Sequence, residues 1–266
     1  MEKFFELLTY FIIYSFLGWT MESVVRSISE RKIINTGFLR GPMCPIYGIG
    51  AIIILLFLNE LKNSLLLLFL ASIIVLSVWE YLVGVMLEKM FHTKYWDYSD
   101  HKFNIKGRVC LTNSICWGIL GVAFVKYIHP FIEGIVINID INIRYIVVSI
   151  ITILFLTDMI LSIIKVKNIK ITLEKVENLN NEIKERLKEI ATLSKETIKN
   201  PDKYKAIENI KQLVEELKKK KNKTTLNLYR NVYRLKKAFP AINTKEITEV
   251  LNKKLEIIKE KRGKKQ

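Results

Sequence analysis

Long apolar segments dominate the first 164 residues of the chain. Each of five segments reaches, or falls a little short of, the roughly 18–20 residues that a helix needs to cross a bilayer core. The segments are too long and too rarely interrupted by charge to be buried strands, so we predict helices. They cover residues 4–25, 44–58, 65–87, 109–131 and 145–164. The pattern predicts an all-α, polytopic membrane protein with about five transmembrane helices.

The pattern changes near Lys165, where apolar residues begin to recur at helical spacing in an otherwise polar chain. A spacing of seven is typical of an amphipathic helix and of a coiled coil, here continuing from the last span. The residues that recur in this way are Ile169, Val176, Ile183 and Ile190. We therefore predict a transmembrane domain over residues 1–165 and a helical tail over residues 166–266.

Three further amphipathic helices are predicted in the tail. Pro201 suits the first turn of the second tail helix, whose apolar seam lies within 207–217. A third helix is expected over about 225–238, and Asn243 with Glu246 resembles a capping box that opens a fourth. The tail would then contain about four helices.

Charge is distributed unevenly between the two parts. The chain carries 42 Lys and Arg against 26 Asp and Glu, a formal net charge of +16. Residues 1–164 account for +1 of this charge and residues 165–266 for +15. The connections between spans also alternate between many and few basic residues, and basic connections are retained in the cytoplasm. This alternation predicts a multi-pass protein of the cell membrane with its N-terminus outside and its tail in the cytoplasm.

Three acidic residues lie inside the predicted spans, where each charge costs roughly 2.5–3.5 kcal/mol on insertion scales. The helical rise places all three in the half of the membrane nearer the cytoplasm. Two arginines enter the second and fourth spans from that side, so we expect them to face the acids. The candidate members of this polar cluster are Glu22, Arg40, Tyr47, Glu80, Arg108, Asn113 and Asp158.

Two compatible interpretations of this cluster remain open. The cluster could bind a substrate or relay a proton, or it could be an ion-pair network that holds the helices together. Glu22 and Arg26 are four residues apart on one helix and can pair without any substrate.

A weak internal repeat relates the two halves of the transmembrane domain. Gly41 and Cys44 have the same spacing as Gly107 and Cys110, and each pair follows a basic residue and precedes a glycine-bearing apolar segment. Both copies run in the same direction, which is typical of a parallel repeat in some transporter folds. Chance similarity between apolar segments is the alternative.

The remaining sequence chemistry predicts neither catalysis nor a bound metal. The sequence contains no GxxxxGK[ST], GxSxG, HExxH or GxGxxG motif. The three cysteines show no CxxC spacing and are expected to be free thiols. We therefore expect no enzyme activity and no cofactor.

The connection over 92–108 holds most of the remaining polar and aromatic groups. Four of its side chains are of metal-ligating types, but their spacing matches no strong ligand pattern: His92, Asp97, Asp100 and His101. Its aromatic residues are typical of an interfacial belt at headgroup level: Tyr95, Trp96, Tyr98 and Phe103.

Several sequence blocks together carry a family resemblance. They read FLGWTMES at 16–23, GFLRGPMCPIYGIG at 37–50, EYLVGVMLE at 80–88, WDYSDHKFNIKGRVCL at 96–111 and SICWGILG at 114–121. Over roughly residues 8–165 the chain resembles a family of bacterial integral membrane proteins described as type IV ABC-transporter permeases. The resemblance implies a multi-span, permease-like protein, and for a transporter subunit of this kind we expect a separate ATPase subunit as a partner. It implies no particular substrate and no catalytic residues, and it does not extend to the tail.

Three functions follow as hypotheses. The first is a permease-like transporter subunit in contact with membrane lipid and able to form a homo-oligomer. The second is a membrane-anchored scaffold whose basic tail binds anionic lipid or a protein partner, since juxtamembrane Lys and Arg are attracted to the cytoplasmic leaflet. The third is an intramembrane enzyme using Glu22, Glu80 or Asp158. Nucleic acid is the least favoured partner of the tail.

Overall fold

The computed structural model describes residues 2–91, 93–196 and 201–242, together with residues 247, 248, 250 and 252. In this described part the fold is all-α, without named strands, as the sequence predicts. The helices are α1 (Glu2–Ser29), α2 (Pro45–Phe57), α3 (Leu65–Phe91), α4 (Leu111–Ala123), α5 (His129–Ile137), α6 (Ile141–Glu196) and α7 (Pro201–Ala238). A 3₁₀ turn, Asn59–Asn63, follows α2, and a π-helical turn, Phe124–Ile128, joins α4 to α5.

Four helical segments in the described residues are long and apolar enough to cross a membrane. They are Glu2–Ser29, Leu65–Phe91, Leu111–Ile137 and Ile141–Ser194. The fifth predicted segment forms α2, which has 13 residues and therefore a length of only about 20 Å. The predicted count of five is not confirmed, because only 13 residues lie between the helix start at Pro45 and its end at Phe57.

Helix α2 begins beside the middle of α1 and packs antiparallel to it. The amide of Cys44 donates to the carbonyl of Ser15 at 2.9 Å, about 21 Å along the helix axis from Ser29. A Cβ atom on Gly48 would collide with Ser15 Oγ and the Phe11 carbonyl, so glycine allows this close approach. The Thr36 and Ser23 hydroxyls hydrogen-bond at 2.8 Å. The connection over 30–44 therefore folds back along the C-terminal half of α1.

Helices α3 and α4 form a second hairpin of the same kind. Ser77 Oγ donates to Ser114 Oγ at 2.7 Å, and Gly121 packs directly against Ser72. The connection over 93–110 also returns along its preceding helix, since the Tyr98 hydroxyl donates to Glu80 at 3.2 Å. Helix α4 therefore begins well inside the length of α3.

The two hairpins share local features at the positions of the proposed repeat. Cys44 and Cys110 are both buried N-cap residues in extended conformation, and each precedes a 13-residue helix. Seven residues before each cysteine the backbone is left-handed, with φ +88° at Gly37 and +53° at Phe103. The matched glycines differ, because Gly107 has φ +71° and Gly41 has no positive φ, so the internal repeat stays a prediction.

The chain divides into two compact units. The first comprises Met1–Ile164 and Lys236–Ile242, and the second comprises Lys165–Leu235 and Asn243–Gln266. The predicted boundary at 165 differs from this division by the short segment Lys236–Ile242. Within the first unit, Arg26 donates to the carbonyls of Lys237 and Ala238, and the Phe239 and Tyr95 rings lie 4.8 Å apart.

Apolar side chains of α6 and α7 form the core of the second unit. Leu179 and Ile183 pack against Val214 and Leu217, with Ile190 and Ile210 alongside. The predicted second and third tail helices are one continuous helix, α7, so the prediction of separate helices is wrong. Between Asp202 and Ala238 the sequence has no proline or glycine to break the helix, and buried Thr225 continues its inner face across the polar run 218–224. The predicted capping residues Asn243 and Glu246, and the start of the fourth helix, lie outside the described residues.

Candidate functional site

A cavity of about 340 Å³ lies within the first unit, between the α1–α2 and α3–α4 hairpins. Its wall is apolar and aromatic, and Glu80 is the one charged side chain among the described residues that line it. The lining includes Tyr14, Leu17, Met21, Tyr47, Ala51, Ile54, Leu76, Trp79, Trp117, Leu120 and Phe124. Small residues at helix contacts keep this space open, since both Gly18 and Gly50 line it.

Glu80 is buried at 4% relative exposure and is held by neutral hydrogen-bond donors. Trp117 Nε1 donates to one carboxylate oxygen at 2.9 Å, and the Tyr98 hydroxyl donates to the other at 3.2 Å. The Asn113 side chain also hydrogen-bonds to Glu80. No ion pair joins Glu80 to a basic side chain in the described part of the chain. The carboxylate therefore has hydrogen-bond partners and no counter-charge.

The aromatic residues of the cavity use their polar hydrogens within the protein. Trp79 Nε1 donates to the carbonyl of Ile46 at 3.0 Å, and the Tyr14 hydroxyl is bonded to His129 Nδ1 at 2.8 Å. The Tyr47 and Trp117 rings lie 6.2 Å apart in a tilted arrangement. Aromatic carbon, rather than free N–H or O–H groups, is therefore what these residues offer to the cavity.

Glu22 and Tyr47 form the equivalent contact in the first hairpin. Their side chains hydrogen-bond, and Tyr47 is the third residue after the N-cap Cys44, as Asn113 is after Cys110. Each acid of a long helix is thus contacted from the first turn of the helix that follows. The expected ion pair between Glu22 and Arg26 is replaced by one between Arg26 and Glu30 at 3.0 Å.

Asp158 is bound by the backbone of the connection over 30–44, which folds back along α1. The amides of Arg40 and Gly41 donate to its Oδ2 at 2.9 and 2.8 Å. Ser162 Oγ lies 3.5 Å from the other carboxylate oxygen. Hydrogen bonds from N–H groups to a carboxylate are charge-assisted, and two of them converge on Asp158.

Arg108 pairs with Glu88 and not with Glu80. Its Nη2 lies 2.5 Å from Glu88 Oε2, and its guanidinium carbon lies 5.3 Å from the centre of the Tyr81 ring. The expectation that Arg108 faces the three intramembrane acids is therefore corrected. The predicted residues come together in separate contacts: Glu22 with Tyr47, Glu80 with Asn113, Asp158 with the backbone of Arg40, and Arg108 with Glu88.

A family comparison identifies the first unit. The family described as "Putative ABC-transporter type IV" matches residues 9–163, more than half of the chain. The chain belongs to this ABC-transporter family. Comparison with curated proteins and with solved structures finds no match. The family match covers both hairpins and the cavity, and ends before the second unit.

Within this family member, sequence reasoning overlooked the groups that hold Glu80. Trp117 belongs to the SICWGILG block and Tyr98 is expected in an interfacial aromatic belt, whereas both side chains donate hydrogen bonds to Glu80. The sequence does hold a signal for this contact: an acid inside a span needs hydrogen-bond donors, and Tyr98 and Trp117 can each supply one. Of the metal-ligating types in the second connection, His92 lies outside the described residues, and no group of three such side chains meets elsewhere in the described part.

Asp97 stabilises a turn at the exposed end of the connection over 93–110, and this set of contacts is called the Asp97 brace below. Ser99 donates to Asp97 Oδ1 from its hydroxyl at 2.5 Å and from its amide at 3.1 Å, and Lys94 lies 3.2 Å from Oδ2. The Ser99 hydroxyl, together with Lys94, holds the pKa of the Asp97 carboxyl below its usual range. Gly107 has φ +71°, and a Cβ there would collide with Asp97, so this turn requires glycine.

Proposed function

We propose that this protein is the permease-like subunit of an ABC transporter and that its substrate binds in the cavity between the two hairpins. The observation that carries the proposal is a cavity of about 340 Å³ with a buried acid at Glu80, inside a bundle of candidate membrane spans. Ionisable residues are costly at such positions and mark substrate or ion pathways. Membership of the ABC-transporter family supports the same conclusion.

Energy for transport would come from a separate ATPase subunit. The 266-residue sequence carries no GxxxxGK[ST] motif, which cradles the phosphates of ATP in P-loop proteins. The chain itself would therefore not hydrolyse ATP through a P-loop. The exposed polar residues of the connections over 30–44 and 93–110 would be the docking surface for this subunit in the orientation proposed below.

The proposed orientation has the N-terminus outside and the tail in the cytoplasm. Basic residues concentrate in the connections over 30–44 and 93–110 and in the second unit. Helix α2 is short, but the connection over 30–44 together with α2 returns the chain along the full length of α1. Irregular backbone at membrane depth is tolerated where it is buried in protein, and Ile34, Thr36 and Leu39 are each 1% exposed. Five crossings therefore remain compatible with four long helices.

Purification of the full-length chain from its native membranes in mild detergent tests the ATPase assignment. We expect a P-loop ATPase to co-purify in fixed stoichiometry and the preparation to hydrolyse ATP. A chain that purifies without any ATPase, from membranes in which crosslinking also captures none, would overturn the assignment.

A further inference from the structure

We propose that the cavity takes a small organic cation with an aromatic or aliphatic body, whose charge lies beside Glu80. The inference deepens the proposed function and depends on it only for calling this ligand a transported substrate. It concerns the chemistry of the cavity wall, which can be tested by binding alone.

The charge balance of the cavity favours a cation. Glu80 is buried and accepts hydrogen bonds from Trp117, Tyr98 and Asn113, but all three donors are neutral. A buried charge without a counter-charge is costly, and an incoming cation removes that cost. An anionic ligand would meet the opposite situation, because no Lys or Arg lines the cavity among the described residues.

The aromatic wall favours an organic cation over a metal ion. Ca²⁺ and Mg²⁺ require about six or more oxygen ligands, whereas this cavity offers one carboxylate among apolar residues. Trp is the best ring for cation–π attraction, and Trp79 and Trp117 both line the cavity. Their N–H groups are occupied by Ile46 O and Glu80, so ring carbons, and not free N–H donors, are what these two residues offer a ligand.

The size and polarity of the cavity limit the body of the ligand. A volume of about 340 Å³ is at the lower end of the roughly 300–1,000 Å³ found for small-molecule pockets. Apolar residues of α1, α2 and α4 form the rest of the wall, including Leu17, Ala51, Ile54 and Leu120. A ligand with one charged end and one apolar end matches this arrangement.

Benzyltrimethylammonium is a suitable probe, because its uncharged carbon isostere, neopentylbenzene, has nearly the same shape. Binding of both compounds to the full-length protein in lipid nanodiscs would be measured by calorimetry. We expect the cation to bind at least about tenfold more tightly than the isostere. Equal binding of the two compounds, or binding of neither, would overturn the inference.

Three variants locate the binding. Glu80→Gln should weaken cation binding at least about tenfold, since it removes the charge and retains hydrogen-bond acceptance. Ala51→Leu, which fills the cavity and leaves Glu80 intact, should also weaken cation binding. This second variant tests the inference even if Glu80→Gln does not fold. Glu88→Gln is the matched control on the same helix and should leave the affinity unchanged, because Glu88 pairs with Arg108 outside the cavity.

The results separate this inference from the proposed function. Cation binding that persists in Glu80→Gln and Ala51→Leu would place the cation elsewhere and overturn the inference. An ATPase that co-purifies with a chain unable to bind the cation would also overturn the inference while leaving the permease assignment standing. Cation binding by a chain that has no ATPase partner would support the inference and overturn the permease assignment.

Discussion

The indole of Trp117 donates a hydrogen bond of 2.9 Å to the buried carboxylate of Glu80, and so joins α4 to α3 at the wall of the cavity. Trp117 is the sixth residue after Leu111, where α4 starts, and Glu80 lies near the middle of α3. The contact therefore depends on the second connection folding back along its own hairpin. It links the packing of the hairpin to the chemistry of the site.

Replacement of Trp117 by Phe should destabilise the protein. The variant removes one donor from a buried acceptor, which costs about 1–3 kcal/mol. Trp19→Phe is the matched control, because Trp19 Nε1 donates to the neutral amide oxygen of Asn35, so its loss leaves no buried carboxylate short of a donor. Thermal unfolding in detergent should show a clearly larger decrease for Trp117→Phe, and equal decreases would argue against a structural role for the contact.

Glycine at position 48 should be required for the first hairpin. In Gly48→Ala the new Cβ would meet Ser15 Oγ and the Phe11 carbonyl, so α2 must move away from α1. Gly134→Ala is the control, since nothing lies within 4 Å of its Cβ position and alanine favours a helix by about 1 kcal/mol. We expect a lower melting temperature for the first variant and an unchanged or higher one for the second. The same direction of change in both variants would contradict the packing described for α1 and α2.

The Asp97 brace should depend on pH. Hydrogen bonds from Ser99, with Lys94 nearby, lower the pKa of Asp97 in the folded protein, so its contribution is present above the unfolded pKa of about 3.9. That contribution is lost as the pH falls through the lower, folded pKa. Asp97→Asn should therefore speed hydrogen exchange at the Tyr98 amide, which bonds to Gly107 O at 2.8 Å, near neutral pH.

At a pH below the folded pKa of Asp97, the Tyr98 amide should exchange equally fast in Asp97→Asn and in the wild type. Asp100→Asn, at an exposed acid in the same connection, is the control and should exchange like the wild type at every pH. An Asp97→Asn effect that is the same at all pH values would show that the charge of Asp97 is not what braces the turn.

The proposed orientation predicts which positions face each side of the membrane. Single cysteines at positions 100 and 220 should react with a membrane-impermeant reagent only after the cells are opened, whereas cysteines at 60 and 138 should react in intact cells. Cys44, Cys110 and Cys116 would be replaced by Ser or Ala first. Labelling of position 220 in intact cells would reverse the orientation.

Sequence reasoning was most successful where a single local pattern decides the structure. The long uncharged run 65–79 predicts a helix because a helix satisfies its backbone groups within the segment. Pro201 begins α7 because proline suits the first helical turn. Periodicity could not show that α7 is continuous, because a polar run such as 218–223 is compatible with either a helix or a break.

The contacts of the acids could not be obtained in this way. Depth along a helix placed Glu80 near Arg108, but Glu88 lies on the same helix about 12 Å further along and is the actual partner of Arg108. The choice between them depends on how the connection over 93–110 folds back, which no local pattern encodes. For the same reason the backbone amides that bind Asp158 could not be foreseen from the identity of Arg40.

The most direct test of the account is cation-stimulated ATP hydrolysis by the complex isolated from native membranes. We expect benzyltrimethylammonium to stimulate hydrolysis in the wild type and in Glu88→Gln, and we expect this stimulation to be lost in Glu80→Gln. Stimulation of equal size in Glu80→Gln, or ATP hydrolysis that responds to no cation in the wild type, would contradict the assignment of the cavity as the substrate site.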